Sequence, residues 1–317
     1  MRLKVVFMGS PEFAVPTLRA LHQEFQVTGV ITQADKPKGR GLKRVPTAVK
    51  TAARELGLPV AEPDRLSAPE TRELIEQWAP EVIVVVAYGK ILPKSILELP
   101  PLGCVNLHAS LLPRHRGASP ITAAVLAGDR TTGVCTILMD EGMDTGGVLL
   151  QREVPIRDDD TAGSLHDRLL EPGAALAVET VRGLAEHRIQ ATPQNNEIAT
   201  YTMPLAKQDG RIDWDREADL LARLVRAMNP WPAAFFDLQG EKVKVWRASV
   251  EQGQDQPGRT VDVRKDEVVV GTGRGLLLLQ EVQAPSRKKV KAAELFRARA
   301  IEVGDRLHVN HGTSSTG

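Results

Sequence analysis

The chain has 317 residues, of which 42% are hydrophobic and 26% charged. This length and composition predict about two globular domains and exclude a disordered or fibrous protein. The formal net charge of +1 gives no indication of a nucleic-acid binder by itself. Two cysteines are too few for a secreted disulfide scaffold, and every apolar run is far shorter than the roughly 20 residues that span a bilayer. We therefore expect a cytoplasmic protein without a membrane segment.

The first third of the chain alternates short apolar strands with helices. Strands are predicted over 3–8, 27–32 and 82–87, and helices over 47–56 and 71–78. Ser10 is predicted to cap a helix after the first strand, with Pro11 at the first helical position. The run at 82–87 is apolar on both faces, which is typical of the middle of a parallel sheet. The alternation predicts an α/β domain with a doubly wound, mainly parallel sheet, whose ligands lie at the carboxyl ends of its strands.

The rest of the chain has a different pattern. A long helix is predicted over 162–183, and Pro172 and Gly173 are expected to kink it or divide it. Beyond residue 206, short strands that predict a small β-barrel or sandwich occur at 243–250, 260–263, 267–270 and 275–282. The predicted division is a first domain at 1–190, a linker at 191–210, a second domain at 211–307 and a flexible tail at 308–317.

The segment 103–120 carries the densest group of polar, chemically capable side chains. Asn106 and His108 are two positions apart, so in an extended chain they share a face. A carboxamide can donate a hydrogen bond to a developing oxyanion, and an imidazole can move a proton near neutral pH. The same side chains could instead satisfy buried backbone groups at a strand end, and the pair alone leaves both interpretations open.

A second polar segment, 139–147, follows the apolar run 134–138 and contains Asp140, Asp144 and three glycines. The glycines allow such a loop to approach a ligand closely. An Asx turn is the ordinary alternative. The residue spacings of calcium loops and of Cys/His zinc sites are both missing from the sequence, so no metal is expected.

The chain is strongly basic just after the second predicted strand. Six cations lie there: Lys36, Lys38, Arg40, Lys43, Arg44 and Lys50. A charge run of this kind is ordinarily a solvated loop. The glycines on either side of Arg40 would allow that side chain to approach a base or a phosphate closely.

The ordered motifs make the chain similar to the formyltransferases that use 10-formyltetrahydrofolate. The motifs are Asn106-x-His108, Ser110-Leu111-Leu112-Pro113 with Arg116-Gly117, and Asp144-x-Gly146. Further segments at 7–13, 37–41, 84–89 and 229–232 resemble the members of this family that act on methionyl-tRNA. The resemblance implies a Rossmann-like formyltransferase domain followed by a small β-barrel of the oligonucleotide-binding type, which would bind tRNA.

The resemblance also implies the chemistry. It implies metal-free transfer of the formyl group of 10-formyltetrahydrofolate to the α-amino group of methionine on initiator tRNA, for translation initiation. Asn106 and His108 would hold the oxyanion and move protons, and Asp144 would orient His108 and a water in the active site. His115 stands where this family is expected to have a tryptophan, and we expect it at the surface.

A folate pocket and a tRNA-binding surface are implied in the same way. The folate pocket would be formed by Ser110, Leu111, Leu112, Pro113, Val86, Tyr88, Gly89, Ile91 and Asp140. Val86 and Ile91 could equally be core residues that pack whatever the ligand. The loop 35–50 would insert into the acceptor end of the tRNA, and the tRNA contacts would be Arg40, Lys43, Arg44 and the linker residues Lys207 and Arg211. The expected partners are folate and methionyl initiator tRNA, bound by a monomer.

Three other functions are alternatives to this one. A formyltransferase of the same family could act on a small amine, such as an amino sugar nucleotide or glycinamide ribonucleotide. The glycinamide enzyme normally has one domain, and a small substrate gives no reason for six cations after the second strand. A folate- or RNA-binding protein without catalysis is disfavoured by the joint presence of Asn106, His108 and Asp144. A nucleotide-binding dehydrogenase is excluded, because the turn after the first strand lacks Gly-x-Gly-x-x-Gly.

Overall fold

The computed structural model of the protein describes residues 2–38 and 43–307, without the side chains of residues 36–38 and 43. The chain divides into two compact units. The first comprises Met1–Pro120, Arg130–Pro155 and His166–Met203, and the second comprises Ile121–Asp129, Ile156–Leu165 and Pro204–Gly317. Two short segments from the middle of the chain therefore belong to the unit that contains its C-terminal third. The predicted boundaries at 190, 210 and 307 stay predictions, and the predicted tail lies outside the described residues.

The elements up to residue 202 follow the predicted alternation. The strands are β1 (Lys4–Gly9), β2 (Gln26–Ile31), β3 (Lys36–Lys38), β4 (Lys43–Val45), β5 (Val60–Ala61), β6 (Val82–Val86), β7 (Cys104–His108), β8 (Arg116–Gly117), β9 (Thr131–Leu138), β10 (Val148–Pro155) and β11 (Tyr201–Thr202). The helices are α1 (Val15–Glu24), α2 (Ala48–Glu55), α3 (Pro69–Trp78), α4 (Lys94–Leu97), α5 (Pro120–Ala127) and α6 (Ala162–Ala185).

The first unit is built on one large sheet with the strand order β10-β9-β7-β6-β1-β2-β5. β6 is buried along its whole length and pairs in parallel with β1 on one side and β7 on the other. β9 and β10 extend the sheet with antiparallel pairing. The strand order reverses between β1 and β6, so the carboxyl ends of these strands form a topological switch point, where such folds bind their ligands. The predicted doubly wound, mainly parallel α/β sheet is confirmed.

Ser10 and Pro172 are two places where the structure differs from a local prediction. Ser10 does not cap a helix, because its Oγ accepts a hydrogen bond from the backbone N–H of Gln33 at 3.2 Å, just beyond β2. Of the two alternatives predicted at Pro172 and Gly173, the division does not occur, since α6 is one helix of 24 residues, and the kink stays a prediction. A Cβ on Gly173 would lie 3.2 Å from the Leu107 side chain, so this glycine lets α6 pack closely on β7. We attribute the continuity of α6 to this packing.

The second unit contains an antiparallel sheet. Its strands are β12 (Ala234–Leu238), β13 (Glu241–Glu251), β14 (Thr260–Val263), β15 (Val268–Gly271), β16 (Leu276–Gln283) and β17 (Val290–Lys291), and its later helices are α7 (Ala218–Ala227) and α8 (Ala292–Ala298). The order is β12-β13-β16-β15-β14, with β17 beside β16. Trp214, Phe236 and Phe296 pack ring against ring in its core. This arrangement agrees with the predicted small barrel. Among the described helices of the chain, none is long and apolar enough to cross a membrane.

Candidate active site

The polar residues of β7 and of the loop between β9 and β10 meet at one place in the first unit. β7 is extended as predicted, and its side chains Asn106 and His108 both approach Asp144. Asn106 Nδ2 donates a hydrogen bond to Asp144 Oδ1 at 3.2 Å, and His108 Nδ1 lies 3.5 Å from Asp144 Oδ2. The three residues that the resemblance assigned to catalysis are therefore neighbours in space, although 38 residues separate Asn106 from Asp144.

The carboxylate of Asp144 is held in a fixed orientation. The backbone N–H of Gly117 donates to Oδ2 at 2.8 Å, so each carboxylate oxygen accepts a hydrogen bond from a different donor. Asp144 has φ +54°, in the left-handed region that few residues other than glycine adopt. Its side chain is only 16% exposed.

The hydrogen bonds of His108 define which ring nitrogen can take up a proton. Its Nε2 lies 3.0 Å from the backbone carbonyl oxygen of His115. Because a carbonyl oxygen only accepts, Nε2 must carry the hydrogen and donate it. The lone pair of the neutral ring is then on Nδ1, which faces Asp144. A buried imidazole in this tautomer can accept a proton at Nδ1 beside a carboxylate.

His115 is buried, so its expected position at the surface is wrong. Its side chain and backbone lie in the turn between β7 and β8, and its backbone N–H donates to Thr200 Oγ1 at 2.8 Å. β8 pairs in parallel with β11, which brings residues 200–202 against this turn. The contact places a distant polar segment beside the carbonyl group that orients His108.

No local sequence pattern indicates that Gln194 and residues 200–202 contribute to this site, because a polar stretch between two predicted domains is typical of a linker. Gln194 Nε2 donates to the backbone oxygens of Asp144 and Gly146 at 2.8 and 2.7 Å. Arg116, which is 1% exposed, donates to Gln194, Asn196 and Tyr201. The motif residue Arg116 was the available signal, since a buried guanidinium requires several hydrogen-bond acceptors.

The residues predicted for the folate pocket at the end of β6 divide into two groups. Val86 is buried at the last position of β6, and the Tyr88 side chain packs among the core residues around Met8 and Ile75. This burial raises the pKa of the Tyr88 phenol to about 12. Ile91, in contrast, is 79% exposed, although it could have been a core residue by sequence. Gly89 has φ +77° and turns the chain between these two groups.

The other predicted folate residues lie in two loops. In the first, Ser110 Oγ donates to the carbonyl of Arg114 at 2.7 Å, and the carbonyl of Leu112 accepts from Gln151 Nε2 at 2.9 Å. Leu111 and Pro113 flank Leu112 and are half-buried. In the second loop, Asp140 Oδ1 accepts hydrogen bonds from Gly142 N and Thr145 Oγ1. Asp140 therefore forms the Asx turn that the sequence had left as an alternative.

The cations of the basic segment have different environments. β3 and β4 pair as an antiparallel hairpin, and Arg44 on β4 is exposed. Lys43 lies on β4 with its side chain outside the described residues, and Arg40 lies outside them altogether. Lys50 is buried, with its Nζ 2.6 Å from both Asp35 and Glu62. The hydrogen bond to Asp35, followed in size by the one to Glu62, raises the pKa of Lys50. Lys50 therefore forms internal ion pairs with these two carboxylates.

The two cations predicted in the linker lie in the second unit. Lys207 is exposed at the start of a short 3-10 helix, Lys207–Gly210. Arg211 Nη2 donates to Asp237 Oδ2 at 2.8 Å, so part of its charge is compensated within the unit.

The described residues offer neither a metal centre nor a reactive thiol. No group of three or more His, Cys, Asp or Glu side chains within residues 2–38 and 43–307 could hold a metal ion. Cys104 and Cys135 are free and buried, and burial raises the pKa of each thiol to about 12. Asn106, His108 and Asp144 can supply hydrogen bonding and proton transfer at this site.

A buried His–Asp pair beside a carboxamide, at the strand ends of a Rossmann-like sheet, is an arrangement suited to acyl transfer. Residues 1–181 match the family model described as formyl transferase, and residues 204–300 match the model of the formyl transferase C-terminal domain. The chain belongs to the formyl transferase family.

Among its relatives, the chain is 43% identical to the methionyl-tRNA formyltransferase of Geobacter sulfurreducens, over 96% of each protein. It is 46% identical to the protein of that name from Desulfotalea psychrophila, over 93% of this chain and 92% of the relative. A solved N-formyltransferase from Helicobacter canadensis, in complex with folinic acid and dTDP-3-aminofucose, has a TM-score of 0.67 at 16% identity. It covers 89% of this chain and 99% of its own, and this likeness shows a common fold.

Proposed function

We propose that this protein transfers the formyl group of 10-formyltetrahydrofolate to the α-amino group of methionine on aminoacylated initiator tRNA. The observation that carries the proposal is the close group of Asn106, Asp144 and His108, in which Asn106 donates to Asp144 and His108 Nδ1 lies 3.5 Å from Asp144 Oδ2. The relatives that match nearly the whole chain are named for methionyl-tRNA, and this supports the choice of acceptor.

The reaction needs a donor for an oxyanion, and Asn106 supplies it. The amine nitrogen attacks the formyl carbon, a new C–N bond forms, and the carbonyl oxygen becomes an oxyanion. A carboxamide has two N–H hydrogens. One Nδ2 hydrogen of Asn106 is bonded to Asp144, and the second donates to the oxyanion. The bond to Asp144 also fixes the direction in which the second hydrogen points.

His108 moves the proton that the reaction transfers. The attacking amine must lose a proton, and the N10 nitrogen of the folate must gain one when its bond to the formyl carbon breaks. The lone pair on His108 Nδ1 takes up the first proton and returns it to N10, so no proton is left over. Asp144, 3.5 Å away, stabilises the positive ring between the two steps.

The folate and the tRNA would bind to different parts of the chain. The end of β6, with the exposed side chain of Ile91, and the turn at 110–113 offer an apolar edge that suits the flat rings of a folate. The exposed cation Arg44, with Arg40 and Lys43 of the same segment, and Lys207 and Arg211 of the second unit, would contact tRNA phosphates. We propose that the protein acts as a cytoplasmic monomer, and its free buried thiols are compatible with a reducing compartment.

A transfer assay with competing acceptors tests the proposal. The protein is mixed with 10-formyltetrahydrofolate, methionyl initiator tRNA, an amino sugar nucleotide and glycinamide ribonucleotide, and the formylated products are identified by mass. We expect formyl-methionine on the tRNA. His108→Ala should lower kcat by about 10²–10⁴-fold. His166→Ala is the matched control, because it removes a histidine from a His–Asp pair at the surface.

Formylation of a small amine in place of the tRNA would contradict the proposed acceptor while leaving the chemistry of Asn106, His108 and Asp144 in place. Equal rates for His108→Ala and His166→Ala would contradict the proposed mechanism.

A further inference from the structure

Three consecutive residues orient the proposed proton-transfer pair. The carbonyl of His115 accepts from His108 Nε2 at 3.0 Å, and the N–H of Gly117 donates to Asp144 Oδ2 at 2.8 Å. Arg116 lies between them, and its side chain is 1% exposed. Any contact that fixes Arg116 therefore fixes the backbone groups that hold both members of the pair.

Gln194 connects Arg116 to the loop that carries Asp144. Its Oε1 accepts from Arg116 Nε at 3.1 Å and from Nη2 at 2.8 Å. Its Nε2 donates to the backbone oxygens of Asp144 and Gly146 at 2.8 and 2.7 Å. Both hydrogens and both lone pairs of this amide are thus in use. One side chain joins the turn at 115–117 to the loop at 144–146.

Contacts outside the loop also support the backbone of Asp144. Its φ of +54° lies in the left-handed region, which Asp tolerates better than most residues with a Cβ but which still favours glycine. The two hydrogen bonds from Gln194 are contacts of this kind, on either side of Thr145.

We infer that Gln194 and Arg116 form a bracket that positions Asp144 and His108 for proton transfer. The inference rests on the proposed function and deepens it, since it assigns residues of the polar stretch after α6 to the same site. Both are positioning residues, because they act through Asp144 and the turn at 115–117.

The inference requires both functions of the Gln194 amide. Its Nε2 hydrogens must be present as donors, and its Oε1 alone is not sufficient. Gln194→Glu keeps an oxygen for Arg116 but removes the N–H groups that reach Asp144 and Gly146. Asn196→Asp is the matched control. Asn196 Oδ1 accepts from the same Arg116 Nη2 at 2.8 Å, and in the described part of the chain it does not bond to the Asp144 loop. Both variants add one negative charge beside Arg116, and only the first removes the donors to the backbone oxygens of Asp144 and Gly146.

The experiment measures kcat, the KM for each substrate, and thermal stability for the full-length wild type and both variants. We expect Gln194→Glu to lower kcat by roughly 10–100-fold, the effect of displacing a catalytic group by about 1 Å. Both KM values should stay within about twofold of wild type, and Asn196→Asp should retain the wild-type kcat. A wild-type kcat for Gln194→Glu would overturn the inference, and so would equal losses in both variants, because the effect would then come from the added charge.

A second variant keeps the test decisive if Gln194→Glu does not fold. Gln194→Met has a similar volume and no donors, so it should show the same loss of kcat, and a wild-type kcat would overturn the inference. The rates are measured with whichever amine the wild type formylates. Failure of the proposed acceptor would appear in the wild type, whereas failure of the bracket would appear only in the variants.

Discussion

The proposed catalytic group and the basic hairpin belong to the same unit but are built differently. Asn106 and Asp144 are 38 residues apart in sequence, and Gln194 is 50 residues further on from Asp144. The hairpin of β3 and β4 is local and exposes Arg44. A group assembled from distant segments depends on exact backbone positions, whereas an exposed cation acts mainly through its charge. Changes in the first region should therefore lower kcat, and changes in the second should weaken tRNA binding.

The largest effect is expected from Asp144→Asn. Both carboxylate oxygens accept hydrogen bonds, one from Asn106 Nδ2 and one from Gly117 N. An amide at this position would place its NH2 group against one of these two donors, so one hydrogen bond would be lost. We expect kcat to fall by about 10³-fold, with KM for tRNA little changed. Asp167→Asn is the control, since Asp167 pairs with His166 at the surface. Steady-state kinetics of both variants check this, and a kcat for Asp144→Asn within tenfold of wild type would count against the assigned role.

A somewhat smaller effect is expected from Gly117→Ala. Gly117 has φ +107°, and a Cβ there would lie 2.3 Å from the backbone oxygen of Thr202. The turn must shift, and with it the N–H that holds Asp144, so kcat should fall roughly 10–100-fold. Gly57→Ala is the matched control, because Gly57 has φ +68° but nothing lies within 4 Å of a Cβ. The control should lose some stability and keep its kcat. Equal kcat values for Gly117→Ala and Gly57→Ala would contradict the role of the Gly117 turn in holding Asp144.

Arg44→Ala tests the other side of the comparison. We expect tRNA affinity to weaken by up to about tenfold, or about 1.4 kcal/mol, with folate KM and kcat unchanged. The slope of log affinity against log salt should decrease by about one, as for one lost phosphate contact. Arg54→Ala, an exposed arginine on α2, serves as the control. An unchanged salt slope for Arg44→Ala would show that this cation is not at a phosphate.

The smallest effect on activity is expected from Lys50→Met. This variant tests whether the buried cation of the basic segment stabilises the fold and takes no part in tRNA binding. Asp35 and Glu62 raise the pKa of Lys50, so its ion pairs stabilise the fold fully below a pH of about 10.5. That stabilisation is lost as the pH rises through the raised pKa. At pH 8 the variant should lower Tm by about 2–4 °C for each kcal/mol lost, without changing the salt slope of tRNA binding. Lys90→Met is the control, because Lys90 donates to the carbonyls of Pro63 and Asp64. An equal decrease in Tm for Lys50→Met and Lys90→Met would contradict the stabilising role of the Lys50 ion pairs.

The parts of the fold that a local pattern specifies could be predicted from the sequence. The continuous apolar run of β6 predicted a central parallel strand, and the two-residue spacing of Asn106 and His108 predicted a shared face on β7. Asn106-x-His108 and Asp144-x-Gly146 are short local motifs, so the resemblance that they carry indicates all three proposed catalytic residues from the sequence alone.

Other features depend on contacts between distant segments, and no local pattern reports them. The pairing of β8 with β11 is only two residues long, yet it buries His115 and brings Gln194 to Asp144. Lys50 has the sequence appearance of one more surface cation, and only its two carboxylate partners show that it is internal.

A single-turnover measurement at saturating methionyl-tRNA tests the division between chemistry and tRNA binding most directly. The full chain is preloaded with 10-formyltetrahydrofolate and mixed with excess tRNA, for wild type, Asp144→Asn and Arg44→Ala. We expect Arg44→Ala to reach the wild-type rate, because saturation compensates for weaker binding, and Asp144→Asn to remain at least about 100-fold slower. A slow rate for Arg44→Ala at saturation, or a wild-type rate for Asp144→Asn, would contradict the account.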